Sequence, residues 1–455
     1  MKYVNTALSW LLVFLIAHLI VLEFFSNKLL SLNLELGIVL LLIGAILTAK
    51  TYSRWISVAL TAAGGIIYLI SEASPGEMLE GFSFNFEIVG IILVVPVIGI
   101  ALKTGGYLDA LREMMLLQRE KRKSKSYTIA YLLTMALGPF LNVGVVQIVN
   151  ELAHHSLDRF HQKRMGMVLF RGCASALYWS PFGGMVILTL ELLDVRWFSV
   201  LGFLLIGALC HVLLSVILFK STVYDNDVWV DQSANPTEMS EKQIKRKVAV
   251  LILMMMGLIV VAVALEMIAH ISMVTNIIML SIGYCFLWMA VVGKAKPFAA
   301  NIQQYMGRAF LSVRTEILLF VSAGFFASAV SQSPLNNSVA ALFETIISLP
   351  IIVFIMALFS LFIIMGFVGI HGVILLTLVG ASLEPAAYGW NIFFLPTALM
   401  FAAILYQQTS PFSALMVMVS KLMNTTPAEV IRSNLRFIVS LYCVLGFILW
   451  CISLI

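Results

Sequence analysis

Charge is what this sequence has least of. Asp, Glu, Lys and Arg make up 11% of its 455 residues, where a water-soluble domain carries about 25%. A globular surface cannot be covered at that level, so most of the surface must face lipid. Cysteine is scarce as well. Cys173, Cys210, Cys285, Cys443 and Cys451 form no CxxC pair and no metal-ligand spacing, and they read as small apolar side chains. HExxH, GxSxG and a His–carboxylate pair deep in an apolar run are all missing. Intramembrane hydrolysis needs zinc ligands or a paired nucleophile and base, so an enzyme is not expected. Carboxylates avoid the centres of the apolar runs too. Glu23, Glu191, Asp194 and Glu266 fall near outer ends and Glu316 near an inner end. Proton pumps keep an Asp or Glu at depth, which argues against proton coupling and for a cation held by neutral oxygens.

What remains is 61% hydrophobic. The predicted fold is an all-α polytopic membrane protein of about eleven transmembrane helices plus two re-entrant hairpins in inverted repeats. A run of about 20 apolar residues crosses the hydrocarbon as a helix. The spans read 7–25, 35–49, 55–70, 86–102, 165–194, 197–219, 248–270, 274–292, 315–333, 392–420 and 437–455. The first run is too long for the apolar core of a cleavable signal and reads as a retained helix. Two further apolar regions, 127–153 and 348–383, have polar or glycine-rich centres, Gly138-Pro-Phe-Leu-Asn-Val-Gly144 and Gly366-Phe-Val-Gly-Ile-His-Gly372. Backbone that turns inside a membrane must be buried in protein or line a cavity, so both read as re-entrant hairpins.

The basic residues test this map. Cytoplasmic loops should hold Lys and Arg. With the N-terminus inside, only Lys28 and Arg196 of the 28 fall outside, and Arg171 lies within a span. The acidic stretch Glu72–Glu80 falls outside. The bias holds only if both hairpins return to the side they entered from. The short basic clusters are thus a topology signal, and the net charge of +5 does not point to nucleic acid. A plasma-membrane protein with a cytoplasmic N-terminus and an extracellular C-terminus is expected. Residues 1–85 read as scaffold helices, 86–219 as a first repeat, 220–247 as a solvated cytoplasmic linker, 248–436 as a second repeat and 437–455 as a last span.

The two longest spans share a break. One reads Tyr178-Trp-Ser180-Pro181-Phe182, the other Gln408-Thr409-Ser410-Pro411-Phe412. Each follows its hairpin at similar distance, 36 residues from Gly144 to Ser180 and 38 from Gly372 to Ser410. Inverted repeats with discontinuous helices are a transporter architecture, with the site where the breaks meet. Proline removes an N–H and clashes with the preceding turn, so each helix opens there. Freed carbonyls suit a hard cation such as sodium, and half-helix N-termini suit an anion. The expected substrate-binding residues are Asn142, Val143, Gly144, Ser180, Pro181, His371, Gly372, Thr409, Ser410, Pro411 and Arg171. Asn142, Gly144, Ser180, Gly369 and Ser410 are candidate sodium ligands, and the amides of Gln407 and Gln408 can complete either shell.

Arg171, two turns into a span, can draw an anion towards Ser180 or extend to the cytoplasmic surface. His371 can bind substrate or carry a proton. His18 and His211 sit on apolar spans without matched partners, and no role is expected of them.

Residues 86–215 and 312–436 resemble the ion transporter superfamily, which includes divalent anion–sodium symporters, the arsenite pump membrane subunit and the large membrane subunit of TRAP transporters. Leu318-Leu-Phe-Val-Ser-Ala-Gly-Phe-Phe through Leu335-Asn-Asn is similar to the span and polar loop before the second hairpin in the arsenite branch. The resemblance implies two re-entrant hairpins, two unwound helices, a homodimer and elevator-type motion. It places the tips at Asn142-Val143-Gly144 and Gly369-Ile-His371-Gly372. Carboxylate-binding members carry Ser-Asn-Thr at these tips, whereas here the first keeps only the Asn and the second has His371. The function expected is sodium-coupled secondary transport of a small anion across the bilayer, with no cofactor beyond the coupling ion. A proton-coupled carrier, a translocase for a lipid-linked anion and a channel are the alternatives.

Overall fold

The computed structural model describes residues 2–25, 27–49, 52–121, 126–156, 159–219, 227, 229–231, 239–269, 271–335, 350–383 and 389–455. The chain is an all-α polytopic membrane protein. Among the described residues the only strands are Arg159–His161 and Trp229–Asp231, paired antiparallel in a short ribbon.

Among the described residues, eleven segments are long and apolar enough to cross a membrane. The number matches the expected one but the membership does not. Tyr127–His154 and Ile351–Val368, both in regions read as hairpins, qualify by length and composition. The long runs 165–194 and 392–420 do not, because each is divided. The first becomes Gln162–Ala176 and Gly184–Leu192, of 15 and 9 residues. The second becomes Phe394–Thr409 and Ala414–Leu422, of 16 and 9.

Local chemistry accounts for the shifted boundaries. The span expected over 35–49 already starts at Lys28, because the Asn27 side chain accepts the Leu29 N–H at 2.9 Å and caps the helix. Ser272 and Thr426 cap Met273–Val291 and Pro427–Ile452 in the same way. Residues 241–247, expected in the linker, are the first turns of Glu241–Ala269. In that helix Leu251, Met255, Leu258 and Ala262 face inward, while Leu253, Met256, Val260 and Met267 are exposed, an apolar outer face suited to lipid. The linker was expected to be solvated; residues 240–243 are exposed, while Asp227 and residues 229–231 are docked. Residues 229–231 pair with 159–161, and the Asp227 carboxylate accepts the Lys163 N–H at 2.8 Å. The rest of the linker, the basic residues 122–125, Asn336 and Asn337 lie outside the described residues.

Both candidate hairpins double back. Ser126–Leu141 and Val145–Ser156 meet at a tip over Asn142–Gly144. Laid straight, they would reach about 45 Å, yet Tyr127 Oη accepts the His161 N–H at 2.9 Å, so the two ends are in contact. Ile351–Val368 and Gly372–Ser382 form the second pair. Phe354 at its start lies against Trp390 beyond its end, with ring centroids 4.8 Å apart.

The first arm of each hairpin packs along the first half of the broken helix that follows it, 126–141 on 162–176 and 351–368 on 394–409. The broken helices run antiparallel to each other, 162–176 against 414–422 and 184–192 against 394–409. Such a pairing puts both breaks at one level of the bundle.

Orientation in the membrane is open to a direct test. On a background without native cysteines, a cysteine at exposed Lys296 should react with an impermeant maleimide only when the cytoplasmic face is open, and one at exposed Gly76 only from outside. The reverse pattern would invert the charge-based topology.

Candidate functional site

Each hairpin turns on one left-handed residue. Asn142 has φ of 50° and Gly369 has φ of 93°. Glycine takes that conformation without steric cost. Asn142 tolerates it because its short side chain bonds locally, Oδ1 accepting the Val143 N–H at 2.9 Å.

Three residues before each turn stands a carbonyl that receives the serine of the matching break. Ser180 Oγ donates to the Pro139 carbonyl at 3.3 Å, and Ser410 Oγ donates to the Gly366 carbonyl at 2.9 Å. Each hydroxyl also accepts the N–H two residues on, Phe182 at 3.2 Å and Phe412 at 3.3 Å. The Ser-Pro-Phe motif therefore has one geometry in both repeats. Proline withdraws an N–H, the helix opens, and the serine ties the opened backbone to its hairpin. Removing either hydroxyl would take one buried hydrogen bond from the contact between hairpin and break, a net cost of about 1 kcal/mol.

The tips and breaks enclose a cavity of about 630 Å³. Asn142, Val143 and Gly144 line it from the first tip and His371 from the second. Leu177 and Gly184 border it beside the first break, Gln407 and Phe412 beside the second. Along its wall lie Ser53 at the start of the helix Tyr52–Ile70, Ser312 at the end of the short helix Ala309–Ser312, and Thr315 and Glu316 in the turn Arg314–Glu316. Leu319 and Phe320 of the adjoining π-helical turn Ile317–Val321 complete that wall. A π-turn widens a helix locally and is frequent at functional sites. Among the described residues Glu316 is the one Asp, Glu, Lys or Arg in the lining.

Four helices begin at this cavity, at Val145, Gly184, Gly372 and Ala414. Their N-terminal N–H groups and dipoles put positive potential into a space that holds no basic side chain. The start at Gly184 has no side-chain cap, its N-cap being Gly183. At Gly372 the cap is His371, whose Nδ1 accepts the Val373 N–H at 3.3 Å. A ring nitrogen that accepts carries no proton, so the neutral imidazole bears its hydrogen on Nε2.

Asn142, Val143, Gly144 and His371 of the expected set line the cavity. The others stand behind it. Ser180 and Ser410 are 1% and 0% exposed and committed to their hairpins. Pro181 and Pro411 follow them as the breaking residues. Thr409 Oγ1 donates back to the Leu405 carbonyl at 2.7 Å. Gly372 is pressed against the Tyr406 ring, where an added Cβ would come within 2.9 Å of Cδ1. Gly369 supplies the turn. Arg171 is buried on the far side, its Nε donating to Asn434 Oδ1 at 2.9 Å and its guanidinium 4.2 Å from the Phe437 ring centroid. Neither attraction towards Ser180 nor extension to the surface describes it.

Sequence reasoning missed Ser53, Ser312, Thr315 and the π-turn, which no local pattern distinguishes from ordinary span ends. It also passed over His211, which is fully buried and meets residues of both breaks. No model of a known protein family matches this chain, and no curated protein matches it either.

Proposed function

We propose that this protein is a secondary active transporter of a small anion, coupled to sodium and working by elevator-type alternating access. The observation that carries the reading is a cavity lined by both hairpin tips and bordered by both helix breaks, with four helices beginning at it. Discontinuous helices whose N-termini point at an anion, with unwound carbonyls nearby for a cation, are the recurrent device of such carriers. In this reading the hairpins are re-entrant, and the anion is held by N–H groups around Gly144 and Gly184 and by His371 Nε2–H. Sodium is held by neutral oxygens at the first hairpin tip, those of Asn142 and Gly144 on the cavity wall. The resemblance to the ion transporter superfamily points the same way.

Proton coupling is the second reading, favoured by Glu316 and His371 on the cavity wall. Protonating His371 Nδ1 would cost the cap on Val373, which weighs against it.

The purified protein is first screened for stabilisation by small organic and inorganic anions with and without sodium. Uptake of the stabilising anion into proteoliposomes is then measured under a sodium gradient or a pH gradient imposed alone. Accumulation driven by sodium alone is the expected result. Accumulation driven by the pH gradient alone, and lost in His371→Gln, would refute sodium coupling. Flux that never exceeds equilibration would make the protein a channel.

A further inference from the structure

Behind the two breaks, on the side away from the cavity, five buried polar side chains from four helices form one chain of contacts. Arg171 and Tyr178 come from the first broken helix, His211 from Trp197–Ile217, Gln408 from the second broken helix and Asn434 from Pro427–Ile452. Each is at most 2% exposed. Arg171 Nε lies 2.9 Å from Asn434 Oδ1, and Asn434 Nδ2 lies 2.9 Å from Gln408 Oε1. Gln408 Nε2 is 3.5 Å from His211 Nε2, and His211 Nδ1 is 3.3 Å from Tyr178 Oη.

The direction of every bond follows from the first member. Arginine can only donate, so Asn434 must present its oxygen to Arg171 and its NH2 to Gln408. Gln408 must then present its oxygen to Asn434 and its NH2 to His211. His211 Nε2 accepts, which leaves Nδ1–H to donate to the first broken helix, where Tyr178 Oη and the Arg171 backbone carbonyl are the acceptors. A fixed cation at one end thus sets both amide orientations and the tautomer of a neutral histidine. The ring is held in place as well, edge-on to Tyr178 at 5.5 Å and to Phe437 at 4.9 Å.

Tyr178 stands two residues before Ser180, and Gln408 two residues before Ser410. The two nitrogens of one histidine therefore reach equivalent positions in the two inverted repeats. We infer that His211 is a positioning residue that locks the two helix breaks into one unit, so that the halves of the binding site keep their mutual geometry as the unit moves. This rests on the proposed transport site for its purpose, but not for its existence. Breaks are the weakest points of the two helices, where the backbone ladder is interrupted. A contact that bridges them through buried donors and acceptors resists opening of either one.

The test is amide hydrogen exchange of the full-length protein in micelles, followed over 177–184 and 410–414. Tyr178→Phe removes an acceptor in the first repeat only. It is expected to speed exchange about three- to tenfold at both breaks, the second included, the size of one net hydrogen bond. His211→Phe should do the same while keeping the ring packing. If His211→Phe does not fold, His211→Asn and His211→Gln replace it, preserving the Nδ1 and Nε2 contacts respectively. Faster exchange at 177–184 with 410–414 unchanged would overturn the inference. Coupled exchange in a protein that accumulates no anion would remove the transport reading and leave the lock. Uncoupled exchange in an active transporter would do the opposite.

Discussion

Gly144→Trp should abolish uptake while leaving the protein folded. Gly144 lies at the first hairpin tip, lines the cavity, and has nothing within 4 Å of the place a Cβ would take. No left-handed φ is required of it, in contrast to Asn142 two residues earlier. The new side chain therefore meets no protein atom at its base and extends into the cavity proposed to hold the substrate. A clash of only about 3 kcal/mol lowers occupancy ~100-fold, so uptake should fall at least that far. Thermal unfolding of the unliganded protein should move little, and stabilisation by the anion should vanish. Gly144→Ala, a single methyl group, should keep most of the activity. If the tryptophan variant transports normally, the cavity is not the pathway.

The second large effect is on folding. Gly366→Leu should prevent accumulation of folded protein. A Cβ at Gly366 would lie 2.9 Å from Tyr406 Cδ2 and 3.1 Å from Ser410 Cβ, both on the buried face where the second hairpin meets its broken helix. Replacing glycine in a helix gains about 1 kcal/mol of propensity. Forcing a larger side chain into a packed contact costs about 1–3 kcal/mol. Here the displaced group is also the serine bonded to the Gly366 carbonyl, which adds the loss of a buried hydrogen bond of about 1 kcal/mol. Destabilisation wins, and monodisperse yield on size exclusion should drop sharply. Gly202→Leu is the control. Its Cβ would meet nothing within 4 Å, and its helix carries exposed Leu205 and Leu209 nearby. Normal yield of Gly366→Leu would show that the hairpin and broken helix do not pack as described.

Much of the membrane architecture was legible in composition and pattern. Apolar runs of the right length, with basic residues between them, are forced by the cost of unsatisfied backbone and of charge in hydrocarbon. The two Ser-Pro-Phe motifs were legible for the same kind of reason, since proline must interrupt a helix wherever it falls inside one. The role read into the serine hydroxyls was another matter. Sequence shows a hydroxyl beside an opened backbone, and both a ligand and a neighbouring carbonyl fit that description. Only packing decides that Pro139 and Gly366 come within 3.3 and 2.9 Å of Ser180 and Ser410.

Arg171 and His211 mark the boundary between the two kinds of information. From sequence, Arg171 was an isolated charge two turns into a span, and its helix could have turned it towards Ser180 or the surface. In the fold it faces Asn434, 263 residues away in the chain. On its own helix face His211 has only Ser215 one turn on, and its ring partners Tyr178 and Gln408 are 33 and 197 residues distant. Periodicity reports which residues share a face of one helix, because that depends on the 3.6-residue turn alone. It carries nothing about which other helix meets that face. By itself, then, the sequence determined that the chain crosses a membrane many times and where two of its helices must break. The tertiary structure alone decided which groups line the cavity and which bind the breaks together, because long-range contacts between helices set the surroundings of each side chain.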